Sequence, residues 1–381
     1  MVSVFVPRET AAGEARVAAV PETVQKMVKA GLSVSVQSGA GAAAGFPDSE
    51  YESAGAAIAS DAGGLGGADL VVRVLPPSED EVRSMKRGAA LICSLQPLQQ
   101  LPLVRALADA GVTTFALDLM PRITRAQKMD ILSSQATVAG YQAVLMAAVA
   151  LPKMFPLLMT AAGTLTPARV VVLGAGVAGL QAIATAKRLG AVVEANDIRP
   201  AVREQVESLG AKFIDTGTPP QAETTGGYAK ETSEDYARKQ REILTQHISN
   251  ADVVITTALI PGRNAPVLVP ASMVSAMKPG SVIVDLAVAA GGNVEGSVAG
   301  ETVDVDGVKI IGEPNLTSLV AQDASRMFAR NLFNFLELML ADGKLDVERD
   351  DECVVATTVT RGGEIRHEAS AEAAGAKGAS Q

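Results

Sequence analysis

Val170-Val171-Val172-Leu173-Gly174-Ala175-Gly176-Val177-Ala178-Gly179-Leu180-Gln181 is the stretch on which the fold turns. The valine run reads as a buried parallel strand and 179–189 as a helix, with the G-x-G-x-x-G set of Gly174, Gly176 and Gly179 at the joint. Glycine is common here, 35 residues of 381, so the spacing alone would carry little. Between a strand and a helix, however, each glycine has its own task. Gly174 permits a tight turn, Gly176 lets the backbone approach a pyrophosphate, and Gly179 lets the helix lie close to the strand. The unpaired amides that open the helix then supply donors for phosphate oxygens.

Outward from this joint, the next strand ends Glu194-Ala195-Asn196-Asp197, placing Asp197 roughly 20 residues beyond the glycines, where a carboxylate can accept from ribose hydroxyls. That choice favours NAD(H), because a 2′-phosphate would be repelled by Asp197; Arg199, two positions on, reads as a solvated cation at a helix start. Strands are predicted at 169–173, 192–196, 212–215, 251–256, 281–286 and 308–311, and helices at 179–189, 201–209 and 234–249. The earlier part alternates in the same way, with strands at 2–6, 32–36, 70–74, 89–93 and 112–115 and helices at 22–30, 79–86 and 98–110. After the second series come an apolar-periodic helix at 321–340 and a hairpin of 353–359 with 364–366 about Gly362-Gly363. This tail is too small to fold alone. The reading is an α/β chain of two Rossmann-like doubly wound domains, 1–133 plus 322–381 and 134–321, with a nucleotide-binding cleft between them and two long helices, 134–151 and 321–340, across the junction.

Composition removes other classes. A net charge of -9 lacks the clustered Lys and Arg that nucleic acid requires, so no nucleic-acid partner is expected. Cys93 and Cys353 form no CxxC pair, which points to a reducing compartment and to no metal site. The opening Met1-Val2-Ser3-Val4-Phe5-Val6 is a strand and not an export signal. The segment 137–165 is apolar with Lys153 its only charge, but Pro152 and Pro156 favour a buried interdomain helix ending near Leu151 over a membrane span. A second glycine run, Gly39-Ala40-Gly41-Ala42-Ala43-Ala44-Gly45, also follows a strand and has Asp61 at a tempting distance; Pro47 stops a helix from opening out of it, so it reads as a structural turn.

Where the chain leaves the first domain, residues 119–135 are dense in polar groups. Arg122, Gln127, Asp130 and Ser133 could face a nicotinamide, the amide and hydroxyl orienting its carboxamide and an Arg-Asp pair its ring; read alone, the segment is equally a charged loop with incidental pairs. The loop 221–230 carries Tyr228 and is either a lid or disordered. His247 and His367 are the only imidazoles, at a helix end and in the C-terminal hairpin. Oxidising an alcohol or amine moves a proton as well as a hydride, whereas transfer between two nicotinamides needs only positioning.

Met120-Pro121-Arg122-Ile123, Arg125-Ala126-Gln127, Met129-Asp130-Ile131-Leu132-Ser133-Ser134-Gln135, residues 174–190, Thr256-Thr257-Ala258-Leu259-Ile260-Pro261-Gly262 and Met277-Lys278-Pro279-Gly280 occur in order, and together they resemble the NAD(H)-binding component, domain I, of proton-translocating transhydrogenases. The resemblance spans nearly the whole chain. It implies NAD(H) contacts from Gly174, Gly176, Val177, Ala178, Gly179, Asp197, Ile198, Arg199, Tyr228, Thr257, Ala258 and Leu259, and a nicotinamide site of Arg122, Gln127, Asp130 and Ser133. It also implies a homodimer and an NADP(H)-binding domain on a membrane beta subunit. A separate membrane alpha subunit completes the set, with this chain held at the cytoplasmic face of the inner membrane through its partners. Hydride would pass from NADH to NADP+, coupled to proton translocation. The alternative is a related alanine-dehydrogenase-like enzyme. Against it, that enzyme's substrate lysine, histidine and late aspartate positions carry Arg73, Ser94 and Ala289 here. Ala289 also replaces the glutamate usual in the transhydrogenase component itself.

Overall fold

The computed structural model describes residues 1–217, 234–259, 264–341 and 343–375. The chain divides into two compact units, Met1–Gln135 with Thr317–Gln381, and Ala136–Leu316.

The first unit holds an eight-stranded sheet in the order Glu364–Ile365, Thr358–Arg361, Thr113–Ala116, Ala90–Cys93, Leu70–Val72, Ser3–Val6, Ser33–Gln37, Ala57–Ala59. The first six strands of the chain are mutually parallel, and the two C-terminal strands add antiparallel at one edge. Successive residues face opposite layers: Val4, Val6, Val72 and Ile92 enter one core, and Phe5, Val71, Leu91 and Cys93 enter the other. Burial on both faces explains why Leu70–Val72 and Ala90–Cys93 read as unbroken apolar runs. The helix Ala321–Met339 covers one face with Ala324, Phe328, Leu332, Phe335 and Met339, all buried, and the Phe335 ring meets Phe115 edge-on at 5.7 Å.

The second unit has a seven-stranded sheet ordered Lys212–Phe213, Val192–Asn196, Arg169–Leu173, Val253–Thr256, Val282–Asp285, Val308–Ile311, Thr302–Val305, parallel but for the last strand. Chain order therefore reverses between Arg169–Leu173 and Val253–Thr256, and ligands of open parallel sheets bind outside the carboxyl ends at such a point.

The α/β class and the parallel sheets stand as read from sequence. Several details differ. Residues 352–357 are helical where the sequence predicts a strand from 353, because the Asp351 carboxylate accepts from the Cys353 amide and starts a turn that buries Cys353, Val354 and Thr357. The hairpin that follows is Thr358–Arg361 with Glu364–Ile365, and Gly362 and Gly363 both adopt positive φ, +62° and +82°, as a tight two-residue turn demands. The long helix begins at Ile131, three residues before the predicted start at 134, because Asp130 caps it, and it ends at Ala150. It is not buried throughout. Ala143, Val144 and Ala147 face the core, while Tyr141 and Val149 are exposed. Among the described residues, no helix is long and apolar enough to cross a membrane.

The second glycine run behaves as a turn. Gly41 sits where a Cβ would overlap the Tyr51 hydroxyl, and Asp48 ties the Gly39 amide at 2.9 Å, so the chain itself fills the space a ligand would use.

Candidate functional site

The strand Arg169–Leu173 ends in Gly174 at φ +93°, a conformation that L side chains rarely adopt, and the chain enters the helix Val177–Arg188 with Gly176 as its cap. The three glycines meet different surroundings. A Cβ on Gly174 would lie 2.7 Å from the Thr257 hydroxyl oxygen, and one on Gly179 would overlap the Gly174 carbonyl oxygen. A Cβ on Gly176 would have a single neighbour within 4 Å, the Arg199 Nη2 at 3.8 Å. The backbone is thus tight at the first and third glycines and open at the second. Gly140 makes a similar close approach on the other side of the helix, since a Cβ there would overlap the Ala178 carbonyl oxygen.

Asp197, 8% exposed, stands beside this loop just past the end of the strand Val192–Asn196. One carboxylate oxygen accepts from the Ala175 amide at 2.8 Å, so the acid also holds the glycine loop. Arg199 is not a solvated cation. Its Nε and Nη2 donate to the two Asp197 oxygens at 2.9 and 2.8 Å, and its own amide donates to Asp197 at 2.9 Å. Burial alone would push the Asp197 carboxyl up, but the hydrogen bonds and charge of Arg199 hold it below the usual carboxylate range. Ile198 between them is half-buried.

Thr257 completes the loop from the facing strand: its hydroxyl donates to the Gly174 carbonyl at 2.9 Å and its amide to the Leu173 carbonyl. Ala258 is held at both backbone groups by Asn293, whose Oδ1 accepts from its amide and whose Nδ2 donates to its carbonyl, each at 2.9 Å. Asn293 is fastened in turn by Asp285, which is fully buried and accepts from the Asn293 and Ala287 amides and the Thr256 hydroxyl. This buried chain escapes a reading of the sequence alone. Its signal is the lone acid closing the apolar run Val282-Ile283-Val284-Asp285, an expensive residue to bury unless hydrogen-bonded. Leu259 is 48% exposed and Val177 43%, both beside the glycine loop. Tyr228 lies outside the described residues, as does the loop 221–230.

In the first unit, Asp130 and Ser133 meet. The Asp130 carboxylate accepts from the Ser133 amide at 2.9 Å and from its hydroxyl at 2.6 Å, capping the long helix. Arg122 and Gln127 are exposed side chains on the preceding segment, and the turn Thr124–Met129, which carries Gln127, is anchored by buried Ala126 and Met129. Arg73, at the carboxyl end of its strand, is almost wholly buried, with Nη2 3.3 Å from a Glu9 oxygen and Nη1 2.6 Å from a Glu81 oxygen. Burial outweighs the arginine's charge at Glu9 and pushes that carboxyl above its ordinary range. Ser94 hydrogen-bonds to Asp118, and Ala289 is exposed. The ring of His247 bonds to Glu194, and burial lowers the pKa of His367.

A parallel sheet with a glycine loop at its switch point and an acid at the end of its second strand defines a Rossmann-like unit. More particularly, the family model "Alanine dehydrogenase/PNT, N-terminal domain" matches residues 5–139 and "Alanine dehydrogenase/PNT, C-terminal domain" matches 143–368; the chain belongs to this family. It is 52% identical to the first part of NAD(P) transhydrogenase subunit alpha of Rhodospirillum rubrum, over 96% of this chain and 98% of that protein. Its fold is similar to the crystal structure of a transhydrogenase from Sinorhizobium meliloti, at TM-score 0.85 and 46% identity over 96% of this chain and 99% of that one. An L-alanine dehydrogenase structure follows at TM-score 0.82 and 28% identity, covering 97% of this chain and 98% of that one.

Proposed function

We propose that this chain is the NAD(H)-binding subunit of a proton-translocating transhydrogenase, passing hydride directly between NADH held here and NADP+ on a partner component. The observation that carries the reading is the glycine loop, closed at Gly174 and Gly179, open at Gly176, and tied to a buried acid. Bound NADH supplies the hydride. The chain's part is to place it: the amides of Val177, Ala178 and Gly179 receive the pyrophosphate, and Asp197 accepts from the adenosine ribose. Arg122, Gln127, Asp130 and Ser133 hold the nicotinamide in this reading, and the loop bearing Tyr228 closes over the nucleotide.

The alanine-dehydrogenase reading draws support from the second structural likeness. It is weakened by Arg73, whose guanidinium is engaged by the chain's own Glu9 and Glu81 rather than held open for a substrate carboxylate. Mixing the chain with NADH, an NAD analogue and the NADP(H)-binding partner separates the two. Analogue reduction is expected, and its absence rejects the transhydrogenase reading. Oxidation of NADH by the chain alone, dependent on pyruvate and ammonia, would install the alternative.

Within this reading Arg122→Ala slows hydride transfer about 10- to 100-fold while shifting the NADH dissociation constant less than about three-fold, since its task is to orient the ring. Stopped-flow transfer and equilibrium titration measure the two quantities, and an equal loss in both would remove the orienting role.

The partners proposed are a second copy of this chain, the NADP(H)-binding domain of a membrane beta subunit and a separate membrane alpha subunit, which hold the chain peripherally at the cytoplasmic face of the inner membrane. The second copy is supported by exposed apolar side chains of the second unit, with Val149 89%, Met159 77%, Leu157 53% and Leu165 51% exposed. Apolar side chains are costly to leave in water, and a two-fold axis would set the same side chains of two copies against each other. Leu157→Asp combined with Met159→Asp is expected to turn dimers into monomers in sedimentation equilibrium; an unchanged mass would place the dimer contact elsewhere.

A further inference from the structure

The turn Thr124–Met129 is a 3-10 segment, and like any helical segment it leaves its last carbonyls without partners inside it. The Lys128 carbonyl finds two. Asn331 Nδ2 and Asn334 Nδ2, three positions apart on the helix Ala321–Met339, both donate to it at 2.8 Å. Asparagine is a poor helix former, and Asn331 is 8% exposed. Burying an amide there costs stability unless it makes a bond, and its bond is to this peptide. On either side the segment is fastened again. Arg125 donates to both Asp351 oxygens at 2.8 and 3.1 Å, and Gln135 Oε1 accepts from Arg16 Nη1 at 2.9 Å while Gln135 Nε2 donates to the Ala324 carbonyl at 3.1 Å. Arg16 is itself gripped by Glu14 at 2.8 and 2.6 Å.

The clamped carbonyl directly follows Gln127 and lies two residues before Asp130. Gln127 has an exposed side chain, so the backbone, rather than core packing, sets where its amide sits. We propose that Asn331 and Asn334 are positioning residues for hydride transfer, fixing the 124–130 backbone so that Gln127 and Asp130 present their polar groups to the nicotinamide in one geometry. The proposal rests on the transhydrogenase reading for its functional half. A displacement of about 1 Å at such a contact costs on the order of 100-fold in rate with little effect on binding, because in that reading affinity resides at the glycine loop.

Asn331→Leu with Asn334→Leu keeps the branching and number of side-chain heavy atoms and deletes both donors; Asn334→Leu alone serves where the double variant folds poorly. In the complex reconstituted with the NADP(H)-binding partner, single-turnover transfer from NADH is expected to slow about 10- to 100-fold, with the NADH dissociation constant within about two-fold of wild type. Amide hydrogen exchange at 124–131 is expected to accelerate. Transfer at the wild-type rate overturns the proposal, and so does a rate loss matched by an equal loss of NADH affinity. Should the wild-type chain transfer no hydride, the functional reading fails by itself. Unchanged exchange at 124–131 would then overturn the clamp separately.

Discussion

Gly176→Ala is expected to leave the protein folded and to abolish its useful affinity for NADH. Gly176 has φ -73° and ψ -164°, which any residue adopts, and the added methyl would meet only Arg199 Nη2 at 3.8 Å. Nothing in the chain has to move, so the midpoint of thermal unfolding should stay within about 2 °C of wild type. In the proposed cofactor site the methyl would instead occupy the surface along which a pyrophosphate approaches, and the dissociation constant should rise about 100-fold or more, on the order of 3 kcal/mol. Gly179→Ala is the complement. Its methyl overlaps the Gly174 carbonyl oxygen, so helix and strand must separate, destabilising the unit by about 3 kcal/mol. Calorimetry and titration on both variants distinguish the roles. NADH binding retained by Gly176→Ala would end the case for a pyrophosphate cradle here.

Asp197→Ala should weaken NADH about 10- to 100-fold, the worth of one or two hydrogen bonds to a charged acceptor, and should strengthen NADPH. The second effect follows from Arg199. With its carboxylate gone, the guanidinium can turn to a 2′-phosphate that Asp197 formerly repelled. With no Trp in the chain, the nucleotide's own fluorescence reports both titrations without energy transfer from indole. If NADH weakens and NADPH does not strengthen, Asp197 binds ribose without governing the choice. The depressed Asp197 pKa fixes the pH dependence. The stability lent by its ionised form is present above the unfolded value of about 3.9 and is lost as pH falls through the lower folded value. NADH affinity should therefore be flat from about pH 8 to about 5 and decline only in more acidic solution.

How much of this is legible in the sequence depends on where each residue's partners lie. The glycine loop is legible because strand, turn and helix adjoin in sequence, so the spacing of its glycines shows even though Thr257 and Asp197 reach it from farther along the chain. Asp197 is legible from spacing, but its pairing with Arg199 is not, since a cation two residues away reads equally well as solvated. Asp285 and Asn293 act through Ala258, 27 and 35 positions from it, and no periodicity reports such a contact. The helix Glu352–Thr357 is hidden for a different reason. Its two valines and its threonine favour strands, and a single cap from Asp351 together with burial reverses that preference. The placing of the nicotinamide residues rests on the resemblance, because exposed Arg122 and Gln127 belong to no pattern that burial would impose.

The strand Thr358–Arg361 pairs with Thr113–Ala116, and the hydroxyl of Thr360 donates to the Val112 carbonyl at 2.8 Å. On the ribosome this pairing comes late. Thr113–Ala116 emerges and waits while the chain to Thr358 is made, roughly 240 residues, or about 12 to 48 s at ordinary elongation rates. During that wait its outer backbone groups are an open strand edge, the kind of surface that recruits other chains. The second unit, continuous in sequence, has all its strands out first, so it can fold on the nascent chain while the first unit awaits its last strands. Truncation shortly before residue 358 should for that reason yield aggregation rather than a clean half-protein.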